Sequence, residues 1–123
     1  MVQVIHFFKY RKMKTSKTIL ISGALGEFSE ISGLNTEAKS GTILLKNVVF
    51  KPQLELWAGY GTPLEKKGTV IIEEKDETGL SVMTWKLLNA HATKFSTGQS
   101  INGSGPSFQS IELSYDAIHK EVN

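Results

Sequence analysis

The residues best suited to chemistry in this 123-residue chain are three histidines, His6, His91 and His119. A histidine metal site needs a second ligand at close spacing, such as HxH or HxxxH, or a fold that gathers distant ones. None of the three has such a neighbour, so they read as ordinary surface or half-buried side chains. No GxSxG turn presents a serine nucleophile, and Gly98-Gln99-Ser100-Ile101-Asn102-Gly103 does not supply one. The glycine pairs Gly23–Gly26 and Gly59–Gly61 match neither GxGxxG nor GxxxxGK[ST], so no phosphate cradle is expected. Glu73 and Glu74 are adjacent in a β-prone run. Strand neighbours point to opposite faces, so the two do not form an acid/base couple. Asp76 and Glu77 read as a solvated hairpin tip. There is no cysteine, which removes disulfides, thiolate nucleophiles and Cys-ligated metals. No catalytic set, metal site or cofactor is expected.

One charge cluster stands out. Lys9, Arg11, Lys12, Lys14 and Lys17 crowd the first 17 residues with no acid among them. Such a cluster suits contact with another subunit or an anionic partner such as nucleic acid. The same lysines also suit a solvated connection that discourages wrong edge pairing. The net charge of only +2 favours the second reading. No apolar run approaches the ~20 residues of a membrane-spanning helix, so insertion into a membrane is not expected. The apolar stretch Val2–Phe8 precedes the lysines, the reverse of a secretory signal.

The rest of the chain alternates short β-prone runs with Gly, Ser, Asn and Asp breaks. Strands are expected over Val2–Tyr10, Lys17–Ser22 and Gly26–Ser32. Phe28 and Ile31 are three apart in the last of these, which predicts a bulge or bend. Thr36–Lys39 and Thr42–Phe50 flank a turn-like break. The second is apolar on both sides, as expected of a strand covered on both faces. Pro52–Ala58 is the one helix expected, with proline in its first turn and Gly59 as a stop. Thr69–Glu74 and Leu80–Ala90 form the clearest hairpin, around Lys75–Gly79. Met83, Trp85 and Leu87 share one face of its second arm. Ser96–Ser107 reads as a polar loop. Phe108–Ala117 reads as a closing strand with Ile111, Leu113 and Tyr115 on one side. A single domain over residues 1–123 is expected, with 1–17 as a divergent lead-in. The fold class is mainly β: a small antiparallel sandwich or barrel with one short helix. About seven short strands must close their sheet or leave borders for another chain.

Six segments in order carry a resemblance. Phe28-Ser29-Glu30-Ile31-Ser32-Gly33-Leu34 resembles the FSEVSGL-type signature of phage tail tube proteins and the inner-tube proteins of contractile injection systems. These are related to the haemolysin-coregulated-protein tube fold. Thr42–Asn47 with Val49-Phe50 resembles the family's ITLKRG-x-F strand. Leu54–Trp57 resembles its short helix ending in aromatics, and Lys66–Glu74 its KKDITI strand. Thr84–Ala90, with Trp85, Leu87, Asn89 and Ala90, resembles TWNLxNA. Ile111-Glu112-Leu113 resembles the closing ETLEL strand. The order holds from Gly26 to about Ile118. The longer YRxG and KxPG stretch that relatives carry between the first two segments is reduced here to Asn35–Gly41.

The resemblance implies a non-enzymatic structural subunit. Six copies join their sheets into a ring-wide β-barrel, and rings stack into a conduit. Thr84, Lys86, Ser110, Glu112 and Ser114 become channel-facing, with Met83, Trp85, Leu87, Ile111 and Leu113 as core. The implied partners are other copies, a sheath, baseplate or tail-terminator proteins, and cargo or DNA in the channel. The implied location is the bacterial cytoplasm during assembly, then a virion tail or injection tube. A tube-initiator or adaptor ring of the same machine is the alternative role, and a small β-barrel module binding a ligand or nucleic acid is a third.

Overall fold

The computed structural model describes residues 16–34, 40–57, 63–98 and 105–123. The expected strand Val2–Tyr10, the segment Thr36–Lys39 and half of the Ser96–Ser107 loop, residues 99–104, lie outside them. Eight strands follow in chain order: β1 (Ser16–Ile21), β2 (Ala24–Phe28), β3 (Glu30–Ser32), β4 (Gly41–Phe50), β5 (Gly68–Lys75), β6 (Ser81–Thr97), β7 (Ser107–Tyr115) and β8 (Ala117–Val122). Between β4 and β5 come a single helical turn, α1 (Leu54–Trp57), and a 3-10 turn at Pro63–Glu65. The helix is therefore shorter than the sequence predicts.

All pairings are antiparallel, in the order β2-β1-β5-β6-β7-β4-β3, with β8 on β6. A short seam then joins β2 to β4 through Gly26–Phe50 and Glu27–Val49. The circuit β1-β5-β6-β7-β4-β2 is thus closed within one chain. The expected small antiparallel barrel is present, and the borders it leaves open lie outside this circuit.

One strand makes the closure possible. β6 runs for 17 residues and serves both layers. Its first half pairs β5 as far as Gly68–Ala90. Its second half, from His91, pairs β7. Asn89, at φ 50°, marks the bulge between the halves, and a bulge bends its strand. The strand therefore passes Ala90, where the sequence pattern ends it. β8, which the pattern does not show, continues β7 past Asp116 and pairs the first half of β6 from Leu88–Ala117 to Met83–Val122.

The core fills from both layers. Ile19, Ile21, Val70, Ile72, Leu87 and Ile118 come from one, and Ile43, Leu45, Val48, Phe50, Phe108, Ile111 and Leu113 from the other. Met83 and Trp85, expected as core with Leu87, are only half-buried, because they lie where the barrel opens. In β4 and β7 the inward set shifts parity: Ile43 and Leu45 are followed by Val48 and Phe50, and Ile111 is preceded by Phe108. The same step separates Phe28 from Ile31, where Ser29 splits the expected Gly26–Ser32 strand into β2 and β3. Asn47, at φ 56°, sits at this level and donates its amide to the Ser29 hydroxyl at 2.9 Å. A crease therefore crosses three adjacent strands. It also explains why Thr42–Phe50 is not covered on both faces as expected. Ile43, Leu45, Val48 and Phe50 point inward and are buried, Leu44 and Val49 are half-buried, and Thr42 and Lys46 are exposed.

The α1 turn is too short to stand alone. Trp57 packs on Phe50 with ring centroids 5.1 Å apart and on Phe108 at 6.2 Å. Just before it, Gln53 accepts from the Leu25 N–H and donates to the Gly23 carbonyl, which ties the turn to the β1–β2 hairpin.

The β5–β6 turn is held by one carboxylate. Asp76 Oδ1 accepts from the Thr78 hydroxyl at 2.6 Å, the Thr78 N–H at 2.9 Å and the Leu80 N–H at 3.1 Å. The Thr78 hydroxyl holds this carboxyl below the usual carboxylate range; desolvation opposes it, and the backbone N–H groups of Leu80, Thr78 and Gly79 add to the lowering. A depressed folded pKa contributes stability above the unfolded value of about 4 and loses it as the pH falls through the folded value. The melting temperatures of wild type and Asp76→Ala should therefore differ at about pH 7 and converge by about pH 2. A pH-independent difference would show that the turn does not depend on the ionised form.

Candidate assembly interface

The four strands β3, β4, β7 and the second half of β6 form a layer whose outer face is polar. Register places Glu30, Lys46, Ser110 and Ser96 in one row across it. Ser32, Leu44, Glu112 and Lys94 form the next row, and Thr42, Ser114 and His91 a third. Local bonds tie these side chains together. The Ser96 and Ser110 hydroxyls lie 2.8 Å apart, and the Thr93 hydroxyl donates to the Glu112 carboxylate at 3.1 Å. Lys46 and Glu30 pair at 3.9 Å on the exposed surface. Such a pair adds little stability; its effect here is to leave the face without a strong field.

Of the residues expected to face a channel, Lys86, Ser110, Glu112 and Ser114 lie on the outer side of the long β6/β7–β8 hairpin. Lys86 lies opposite His119, and its amine reaches Glu121 at 3.8 Å. Ser110, Glu112 and Ser114 alternate with the buried Ile111, Leu113 and Tyr115. Thr84 shares the face by register but is only 8% exposed. The Asn123 amide donates to its hydroxyl at 3.1 Å, and the Ser81 hydroxyl lies 3.3 Å away. Asn123 covers this side chain.

The signature residues divide by role. Phe28, Leu87 and Ala90 are buried, while Ile31, Leu34, Trp57 and Trp85 pack against the core from its margin. Ser29 anchors the crease, Glu30 and Ser32 are exposed, and Gly33 turns the chain at φ 89°. Asn89 holds the β6 bulge. Lys9, Arg11, Lys12 and Lys14 lie outside the described residues. Among the described residues, no group of three or more His, Asp or Glu side chains could hold a metal ion. No described helix is long and apolar enough to cross a membrane.

Three strand borders have no strand partner among the described residues: those of β3, of β6 over His91–Thr97, and of β8. The β8 border carries His119, Lys120 and Glu121 in succession, all exposed. Consecutive charged or polar residues of this kind protect an edge. The β6 border carries one formal charge, Lys94, beside Phe95, which is 38% exposed. Sequence reasoning misses this stretch because the period breaks. The register shifts between Ala92 and Lys94, so Ala92 and Phe95 fall three apart. That spacing, the same as for Phe28 and Ile31, is the available signal.

No family model and no curated protein matches the sequence. Solved structures do match in fold. A chain of the sheath–tube complex of PVC, an extracellular contractile injection system, in its extended state, is 19% identical, with a TM-score of 0.59 over 87% of this chain and 88% of that one. The fold is that of injection-system tube proteins. The tube fold recurs in the PVC sheath/tube terminator, at 17% identity and a TM-score of 0.56 over 86% of this chain and 93% of that one. It recurs again in Hcp1 from Flavobacterium johnsoniae, at 14% identity and a TM-score of 0.56 over 88% and 96%.

Proposed function

We propose that this chain is a non-catalytic structural subunit that assembles with copies of itself into a ring, and by stacking into a conduit of a phage tail or contractile injection system. The observation that carries the reading is the pair of open borders at opposite sides of one four-stranded polar layer. β3 ends the layer on one side and β6 His91–Thr97 on the other. Through β4 and β7 the two run in opposite directions. A rotation about a ring axis preserves strand direction, so β6 of one copy meets β3 of the next as an antiparallel pair. One head-to-tail contact repeated in this way closes a ring, and it completes the N–H and C=O groups left open on each border. The polar face then lines the channel. Its hydroxyls and locally paired charges give passing cargo or DNA little to adhere to. The resemblance to tail tube proteins supports six copies.

A sheath around the tube and terminator proteins at its end are the partners that this reading implies. Assembly in a bacterial cytoplasm precedes incorporation into the machine. The fold match to a sheath/tube terminator favours one alternative, a ring that ends or starts a tube. The short connection between Leu34 and Thr42 fits a ring that does not stack on both sides.

Negative-stain imaging of the purified protein tests the reading. Rings of one diameter, alone or stacked, are expected. A monodisperse monomer at high concentration in imaging and size-exclusion chromatography would remove the proposal. Mixing with a related tube protein separates the two roles: a terminator caps growth, and a tube subunit extends it.

A further inference from the structure

A cavity of about 160 Å³ opens beside the free border of β3. It lies where β2 leaves β1 and the chain crosses to β4 as β3, so it faces the space between the layers at the side of the barrel. Phe28, Ile31, Ile72 and Trp85 supply its apolar lining, and Lys17, Glu73 and Glu74 its charged margin. An apolar cavity of roughly 150 Å³ holds a benzene-sized group. At the opposite side of the four-stranded layer, Phe95 is left 38% exposed, its ring edge-on to Phe108 at 5.5 Å. Phe95, Ile111, Leu45 and Ile31 share one register row, on the inward side of the sheet.

Resting on the ring reading above, we infer that the cavity is the socket for Phe95 of the neighbouring copy. Continuing the sheet from β3 into the next copy's β6 sets that copy's inward-facing aromatic ring beside Ile31. The inward side at this border is the mouth of the cavity. On the outer side of the same junction, Glu30 of one copy faces the strand that carries Lys94 of the next. The contact has apolar complementarity on its inward face; on the outer face the same register sets Glu30 opposite Ser96 and Ser32 opposite Lys94 of the next copy. A backbone ladder alone specifies neither register nor partner. A ring seated in a shaped hole fixes both, and buried aromatic anchors of this kind dominate interface energetics.

The absence of native cysteine allows a direct test. Within one copy, residues 31 and 95 are separated by three inter-strand spacings of ~4.8 Å, about 14 Å. A disulfide tolerates about 7 Å between Cα atoms, so a bond between these positions forms only between copies. The Ile31→Cys/Phe95→Cys double variant should give, under mild oxidation, a ladder of covalent multimers on a denaturing gel. An equimolar mixture of the single variants Ile31→Cys and Phe95→Cys should give dimers. The conservative truncation Phe95→Ala should raise the concentration needed for ring formation by about tenfold or more. Rings by imaging with neither ladder nor mixed dimer would overturn the socket and leave ring assembly standing. Monomers in imaging, together with monomers on the gel, would overturn both.

Discussion

Phe50→Ala should lower the unfolding free energy by about 3–5 kcal/mol and the melting temperature by roughly 10–20 °C. Phe50 is 1% exposed and sits where three constraints meet. Its ring touches Trp57 at 5.1 Å and Phe108 at 5.9 Å between centroids. Its backbone N–H donates to Pro106 O and its carbonyl accepts from the Gly105 N–H, both at 2.9 Å. Its strand position is one of the two pairs that join β2 to β4. Removing the ring leaves a hole that these backbone bonds keep from collapsing. Total stabilities are about 5–15 kcal/mol, so the loss is a large share. Denaturant titration followed by the fluorescence of Trp57 and Trp85 measures it. A change under about 1 kcal/mol would mean that the Phe50–Trp57–Phe108 cluster is not what holds α1 and the seam.

Gly33→Ala should cost about 2 kcal/mol or more, and it should abolish ring formation at concentrations where wild type assembles. Gly33 has φ 89°, a region L residues avoid. A Cβ there would also stand 2.8 Å from the Thr42 carbonyl oxygen. That oxygen belongs to β4, so relief requires β3 and β4 to separate, and the proposed border is displaced. Gly79→Ala is the matched control. Gly79 has φ 90°, and a methyl group added there would meet nothing within 4 Å, so it carries the dihedral strain alone. Equal losses for the two variants, in thermal melts and in ring yield, would show that the approach to Thr42 is unimportant.

Much of the fold can be read from the sequence, and the failures share a cause. Strict alternation locates β1, β5 and most of β7, and Asp76 with Gly79 locates the hairpin turn. Where the strands crease, the inward set skips a residue and alternation misleads. Thr42–Phe50 then looks apolar on both faces, and His91–Thr97 looks like no strand at all. The Phe28–Ile31 spacing signals a bend, and the same spacing at Leu45–Val48 and Ala92–Phe95 carries the same meaning. β8 escapes notice because Ile118 is its one buried residue; His119, Lys120 and Glu121 carry no apolar period. Parity places Thr84 on the wall, but parity cannot see that Asn123 folds back over it. The polar candidates on β7 are legible because that strand keeps one apolar side. The β6 border cannot be recognised without knowing that β5 begins its pairing with β6 only at Gly68–Ala90.

The shared strand has a mechanical consequence. β6 passes from one layer to the other without interruption at Asn89, so tension applied to either wall reaches the other through peptide bonds rather than through side-chain contact. In the ring proposed above, a subunit built this way does not peel apart between its layers. It is held shut around its circumference by the seam between β2 and β4, where the pairs Gly26–Phe50 and Glu27–Val49 are extended by the Lys51 N–H to the Leu25 carbonyl at 2.9 Å and the Ser29 N–H to the Lys46 carbonyl at 3.1 Å.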